Sequence, residues 1–332
     1  MADPIAAAAS AAYEVLVNAL PDQKAMLNER LTASLAPVPD GEAKAQGIAL
    51  GKKAAAAILA LRQNDRAFED PISPVAPSTE PGVYQAVPPL EFVFAPQWKT
   101  MPPFALQKPE QFRVKPHPAI NSAAYTTAFN EVKTMGQKDS PQRSATQTQI
   151  AKFWYEFSEI GWNRVTRVAV ANHKMDLLAT ARLFALVNMA LADSYIAGWD
   201  SKFHYNFWRP FTAIRRAEND GNANTAADVQ WEPSEVTPPV HDYPSTHSVL
   251  GNAAATVLTK LLGDQVAITL ESNTALPDFK TRTFTSFYQA ADENAESRVL
   301  AGIHFRFSCE EGQAMGNTIG KWVVENHLAP LD

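Results

Sequence analysis

Apolar side chains recur at helical spacing through the first 67 residues. Ile5 to Leu20 is alanine-rich and stops at Pro21, which cannot continue a helix. Asp22 to Leu35 sets Leu27, Leu31 and Leu35 four apart, on one helix face. Asp40 is a suitable N-cap for a third helix running through Ala45, Ile48 and Lys52 to Arg62. Strand-like alternation is absent here.

The pattern breaks at residue 71. Half of the 24 prolines fall between Pro71 and Pro118. Proline fixes φ and removes a donor, so regular helix is excluded there. Tyr84, Phe92, Phe94, Trp98 and Phe104 are interleaved with the prolines, a density of aromatics foreign to a flexible linker. The stretch reads as an ordered, irregular belt. Helical spacing returns from Ala119 onward. The main segments are Ser144–Trp162, Val165–Ala197, Ser248–Leu262, Phe284–Ala301 and Gly312–Asn326. No β-branched alternating run of useful length appears. The expected fold is all-α: a helical bundle, or two packed four-helix bundles, with a Pro-rich belt. The expected organisation is one domain over 1–332, with N-terminal helices to 70, the belt over 71–118 and a helical core over 119–332.

Composition narrows the chemistry. Hydrophobic residues are 46% and charged residues 19% of the 332, with a net charge of −6. A mildly acidic chain is a poor general binder of nucleic acid or anionic membrane. Any anion must be captured by a local group of cations. The single cysteine, Cys309, excludes an internal disulfide and reads as a small core residue. No stretch reaches about 18 uninterrupted apolar residues, so no membrane span is expected. The N-terminus lacks the basic region of a signal peptide.

Three motifs stand out against that low charge. In the first, Lys202 to Pro210, Lys202 and Arg209 are seven apart, which returns them to nearly one helix face. Like charges buried together among Phe203, Tyr205, Phe207 and Trp208 need an anion to join them. Taken alone, the pair also fits a snorkelling Lys and Arg at an aromatic rim. Pro210 should end or turn that helix. In the second, Tyr243-Pro244-Ser245-Thr246-His247-Ser248 precedes an apolar run. Ser245 or Thr246 is an N-cap candidate, and a helix N-terminus is a ready anion site. His247 in the first turn can give or take a proton. In the third, Arg298 and His304 are six apart. They diverge by about 120° on a continuous helix, so their convergence needs a bend near Gly302.

Lys-x6-Arg-Pro, Pro-Ser-x-His and Ser-Arg-x5-His, in this order, resemble the signature of the vanadium-dependent haloperoxidases and type 2 phosphatidic acid phosphatases. They stand here at Lys202–Pro210, Pro244–His247 and Ser297–His304. Ala197-Gly198-Trp199-Asp200 and Gly302 to Phe307 resemble the soluble bacterial haloperoxidase branch. One position departs: Thr246 stands where the family has glycine, which puts pocket size and selectivity in question. The resemblance implies vanadate as cofactor, with phosphate or sulfate fitting the same site. It implies that His304 holds the vanadium, or is the nucleophile of a phosphatase. Lys202, Arg209 and Arg298 would neutralise the oxyanion, Ser245 and the Thr246 N–H would add hydrogen bonds, and His247 would be the acid/base. Trp199 and Val240 are candidates to line the pocket.

Two activities follow from the resemblance. A haloperoxidase would take hydrogen peroxide and a halide. Val240, seven before His247, stands where resembling bromoperoxidases often hold a second His and chloroperoxidases a Phe; His241 is its neighbour. A soluble acid phosphatase would take a small phosphomonoester through a phosphohistidine at His304. The length and the extra N-terminal helices resemble the haloperoxidase branch, and iodide or bromide is expected over chloride. A non-enzymatic oxyanion binder has only Thr246 in its favour. Nucleic acid is not an expected partner, and an oligomer is compatible with the pattern. The resemblance further implies export to the periplasm or medium. Asp292 and Glu293 are candidates to orient His247; His117, His173, His204 and His327 read as structural or surface residues.

Overall fold

Eleven α-helices and two short β-ribbons make up the described residues, 1–329, of the computed structural model. The chain divides into two compact units, residues 1–66 with 175–182, and residues 67–174 with 183 onward.

In the first unit, α1 (Pro4–Ala19), α2 (Lys24–Leu35) and α3 (Glu42–Arg62) follow the apolar spacing. The Asp3 carboxylate accepts the Ala6 N–H at 2.8 Å and Pro4 opens α1, where its missing donor costs nothing. Gly51 of α3 meets α1 backbone to backbone: a Cβ there would come within 2.3 Å of the Ala7 carbonyl. Asp40 does not cap α3, contrary to expectation. Gly41 is the N-cap, at φ 151°. Asp40 instead pairs with Lys44 at 2.9 Å.

The belt opens the second unit. Its only ladder among the described residues pairs β1 (Ile72–Ser73) with β2 (Val93–Phe94), antiparallel, with Ile72 opposite Phe94. The buried Asp193 carboxylate accepts the N–H groups of Phe104, Ala105 and Leu106 at 2.6–2.8 Å. Tyr205 and Tyr243 donate their hydroxyls to the Val114 and Lys115 carbonyls. These bonds supply the order that prolines cannot take from a ladder.

Then come α4 (Ala123–Met135), α5 (Ala145–Phe153), α6 (Ser158–His173), α7 (Leu177–Tyr205) and α8 (Pro210–Arg215). They are followed by α9 (Thr246–Leu262), β3 (Ile268–Glu271), β4 (Thr281–Phe284), α10 (Phe287–Leu300) and α11 (Arg306–Asn326). Helix packs on helix, as a bundle should. Gly312, Gly316 and Gly320 let α11 lie directly on α9. A Cβ at Gly316 would meet the Val249 carbonyl at 2.2 Å. Trp162, Leu250, Phe287, Val299 and Ile319 are fully buried in the core.

Three expectations are corrected. Ser144–Trp162 is not one helix; the chain breaks between α5 and α6. Val165–Ala197 is broken at Lys174, which adopts φ 49°. The β3–β4 hairpin was not foreseen because only Ile268 and Leu270 of β3 turn inward, too short an alternation to read. One further point concerns α7. It is long and apolar enough to cross a membrane by length and composition, with a mean hydropathy of 1.3 in its most apolar window. Yet it buries Asp193 and Lys202, whose polar groups bind backbone elsewhere in the second unit. That is the pattern of a helix inside a protein core.

Candidate active site

α7 carries Lys202 near its C-terminal end. Asn206 then takes φ 49° and ends the helix. Backbone bonds from Tyr84 N–H to the Asn206 carbonyl and from Trp208 N–H to the Gly82 carbonyl hold the next residues extended. Arg209 is the N-cap of α8, and Pro210 starts that helix instead of ending one. Lys202 and Arg209 therefore do not share a helix face. They meet because the belt unwinds the chain between them.

Lys202 is fully buried and donates to the His241 and Asp242 carbonyls at 2.7 and 3.0 Å. An ammonium has three donors, so one remains. Arg209, also buried, donates from Nε to the Val240 carbonyl and from Nη1 to the Ile303 carbonyl, both at 2.7 Å. Arg298 of α10 is fully buried and donates from Nη1 to the Trp154 carbonyl at 2.8 Å. Its Nε and Nη2 have no partner among the described residues. Burial, and then the neighbouring Arg209, hold the Lys202 ammonium well below its usual range. Burial alone leads the fall of Arg298, to about 10.

The bend foreseen near Gly302 exists. α10 ends at Leu300, and Gly302 sits at φ 78° with Gly136 packed against it. The chain reverses there and brings His304 back toward Arg209. His304 Nε2 lies 3.0 Å from Arg209 Nη1, and its Nδ1 lies 2.9 Å from Asp242 Oδ1. That second contact is close but poorly aligned, since Oδ1 has no hydrogen bond of good geometry. Burial, then the fields of Arg209, Lys202, Arg298 and His247, hold the His304 imidazole well below its ordinary range. Four separated elements thus come within electrostatic reach of one ring.

Ser245 is the N-cap of α9 by position, but its side chain caps nothing. Its Oγ accepts from the Ser248 hydroxyl at 3.1 Å, and its N–H donates to the Ser308 carbonyl. The first turn of α9 therefore presents uncapped N–H groups with a positive dipole end. Thr246 Oγ1 is buried without a partner among the described residues. Its side chain faces Gly198 of α7, where a Cβ would lie 4.0 Å away. His247 Nε2 donates to the Glu156 carbonyl at 3.0 Å. Burial and then Arg298 keep this imidazole neutral, which leaves Nδ1 as an acceptor.

The remaining residues fall elsewhere. Val240 is buried and serves through its carbonyl. Trp199 gives its indole N–H to the Phe94 carbonyl and its ring to Trp98 and Tyr195, on the belt side. Asp292 accepts from Gln313 and Glu293 from Arg282 and Trp154, so neither orients His247. His204 is exposed on α7. Cys309 is a buried free thiol pushed up to about 12 by burial. His241 is wedged between Tyr84 and Phe203, each ring centroid 4.5 Å away, beside a cavity of about 330 Å³. Asp242 was missed in the sequence. Its one local signal was its place just before Tyr243-Pro244-Ser245.

The second unit thus gathers three buried basic side chains, the buried imidazole of His304, the half-buried imidazole of His247 and an uncapped helix N-terminus. The tail of the chain, residues 182–332, matches the family model of the second helical-bundle domain of vanadium chloroperoxidase. The vanadium chloroperoxidase of Curvularia inaequalis is 29% identical over 278 residues, 63% of this chain and 45% of that protein. The chain thus spans under half the length of that curated relative. The crystal structure of the first bacterial vanadium-dependent iodoperoxidase aligns with a TM-score of 0.75 at 29% identity, over 92% of this chain and 74% of that one. A holo-type bacterial vanadium-dependent chloroperoxidase shares the fold, with a TM-score of 0.75 at 18% identity, over 96% and 81%. Residues 182–332 thus match a vanadium haloperoxidase domain, and the chain as a whole is similar to the vanadium-dependent haloperoxidases.

Proposed function

We propose that this protein is a vanadate-dependent haloperoxidase that oxidises iodide or bromide with hydrogen peroxide. The observation that carries this reading is Arg298, fully buried with two open donors, beside a His304 whose Nε2 is turned into the cation cluster. Buried donors are rarely left open unless a ligand takes them. The donor set suits a small tetrahedral oxyanion: guanidinium N–H groups, one ammonium N–H, a hydroxyl and a helix N-terminus.

Arg298 Nε and Nη2, the third Lys202 proton, Arg209 and the first turn of α9 would hold the oxyanion, with His304 Nε2 on the vanadium. Bound vanadate would supply Lewis-acid activation of hydrogen peroxide toward attack by halide. Lys202 keeps a positive charge beside the reacting oxygens. His247, fixed through Nε2 on the Glu156 carbonyl, holds Nδ1 ready to take or return a proton. The halide assignment leans on the bacterial iodoperoxidase as a relative over nearly the whole chain; the apolar Val240 departs from the His of resembling bromoperoxidases and from the Phe of chloroperoxidases.

The same donors would serve phosphoryl transfer, with His304 Nε2 as the attacking atom, and this is the reading to test against. Protein loaded with orthovanadate is assayed with peroxide and iodide, bromide or chloride. Vanadate-free protein is assayed with a phosphomonoester. Halide oxidation that requires vanadate supports the proposal. Phosphate release that vanadate inhibits, without halide oxidation, overturns it in favour of the phosphatase.

A further inference from the structure

We propose that Asp242 is the positioning residue of His304: its carboxylate fixes the imidazole as the Nδ1–H tautomer and keeps the Nε2 lone pair facing the cations. The inference deepens the functional reading above and rests on it only for the identity of the ligand.

The argument is one of donors and acceptors. Arginine has five donors and no acceptor. Arg209 Nη1 stands 3.0 Å from His304 Nε2 and 3.5 Å from Nδ1, so Nε2 is the nearer acceptor for it. A neutral ring then carries its proton on Nδ1. Nδ1 lies 2.9 Å from Asp242 Oδ1, close enough that a small turn of the ring aligns it, and a carboxylate can only accept. The nearer contact at each nitrogen favours the same tautomer. That tautomer is the one in which Nε2 can coordinate a metal or attack an electrophile.

Asp242 is itself held. It is fully buried, the Ser308 hydroxyl donates to its Oδ2, and its N–H donates to the Phe207 carbonyl. The three residues Val240, His241 and Asp242 also give their carbonyls to Arg209 and Lys202. One short strap thus sets two cations through its backbone and His304 through a side chain. Deleting the carboxylate leaves the backbone bonds to both cations and removes the contact with His304, the bond from Ser308 and a longer pairing with Arg209 at 4.0 Å.

The test uses the full-length, vanadate-free protein labelled with ¹⁵N-histidine, with the His304 signals assigned by loss in His304→Gln. In wild type, Nδ1 should be the protonated nitrogen. In Asp242→Asn, whose amide can donate to Nδ1, the proton should move wholly or partly to Nε2. Orthovanadate affinity should fall about 10–100-fold, the range for loss of a carboxylate behind a ligating histidine. Asp242→Glu should restore the tautomer at least in part. Should Asp242→Asn not fold, Ser308→Ala loosens the carboxylate and should shift the tautomer in the same direction. A His304 tautomer that is unchanged across these variants, or that is Nε2–H in wild type, overturns the inference. A wild type that binds no vanadate, with the tautomer still obeying Asp242, sinks the functional reading and leaves the positioning role standing.

Discussion

Replacing Arg298 by methionine should make the anion-free protein more stable and insensitive to vanadate. Arg298 is buried with Nε and Nη2 unsatisfied. Each buried open donor costs about 1–3 kcal/mol. Burial pushes the guanidinium from 12.5 down to about 10, a displacement worth about 3 kcal/mol. The two routes agree on about 3 kcal/mol. Against that, the variant loses the bond to the Trp154 carbonyl, about 1 kcal/mol, and the contact over the Tyr155 ring at 5.7 Å, under about 1 kcal/mol. Methionine fills much of the volume and needs no partner. The net gain is about 1 kcal/mol, or roughly 2 °C in Tm for a chain of this size. Wild type, at orthovanadate 100-fold above its Kd, should gain about 2.7 kcal/mol. Arg298→Met should gain almost none of it. Thermal unfolding with and without orthovanadate reads both. A variant less stable than wild type without anion, or one stabilised by vanadate as wild type is, would show that the open donors are not an anion site.

His304→Ala should lose vanadate binding and all turnover, whereas His247→Ala should keep the oxyanion and lose rate, about 10²–10⁴-fold for a general acid/base; equilibrium binding beside steady-state kinetics separates the two. Gly302→Ala should cost at least about 1–3 kcal/mol, since φ is 78° and the new Cβ would lie 2.3 Å from the Gly136 carbonyl; denaturant unfolding measures it. The vanadate-free protein should be acid-labile. His241 is pushed down to about 3, and His247 and His304 are also held low, so below their ordinary value of 6.5 the unfolded chain binds three more protons. Asp242, raised from 3.8 to about 6, binds one more in the folded state and opposes them. The unfolded state thus binds about two more between roughly pH 4 and 6, and stability should fall with acid by up to about 2.7 kcal/mol per pH unit. A flat urea midpoint across that window would contradict the buried neutral histidines.

The all-α fold was legible because helix periodicity carries over long runs, and the belt because proline and aromatics together leave few alternatives. The six candidate residues were legible as three motifs, each short enough to survive without knowledge of the fold. What failed was the local geometry between them. Lys202 and Arg209 were placed on one helix by a spacing of seven, but Asn206 turns left-handed and belt residues Gly82 and Tyr84 bond the segment open. A spacing rule sees only neighbours in sequence, whereas that break is made by residues more than 120 positions away. The bend expected between Arg298 and His304 is present because its cause, Gly302, is local.

The misread breaks share a purpose. Within a helix, the carbonyls of Trp154 and Glu156 would be consumed by amides four residues on. In the break between α5 and α6 they are free, and they take Arg298 and His247. The irregular strap supplies Val240, His241 and Asp242 carbonyls to Arg209 and Lys202, and the turn after α10 supplies Ile303. Each cation in the cluster, and His247 with them, is thus anchored on backbone oxygen from a non-helical segment. The choice of anchor matters physically. A carboxylate on each would hold the cations as well, but it would cancel the charge. A carbonyl is only a dipole: it fixes geometry and leaves the net positive field intact for an incoming oxyanion. The one carboxylate paired with these cations among the described residues, Asp242, lies 4.0 Å from Arg209 and nearer, at 2.9 Å, to His304. Where helical pattern fails in this sequence, the chain is exposing the acceptors that let a low-charge core keep three cations together.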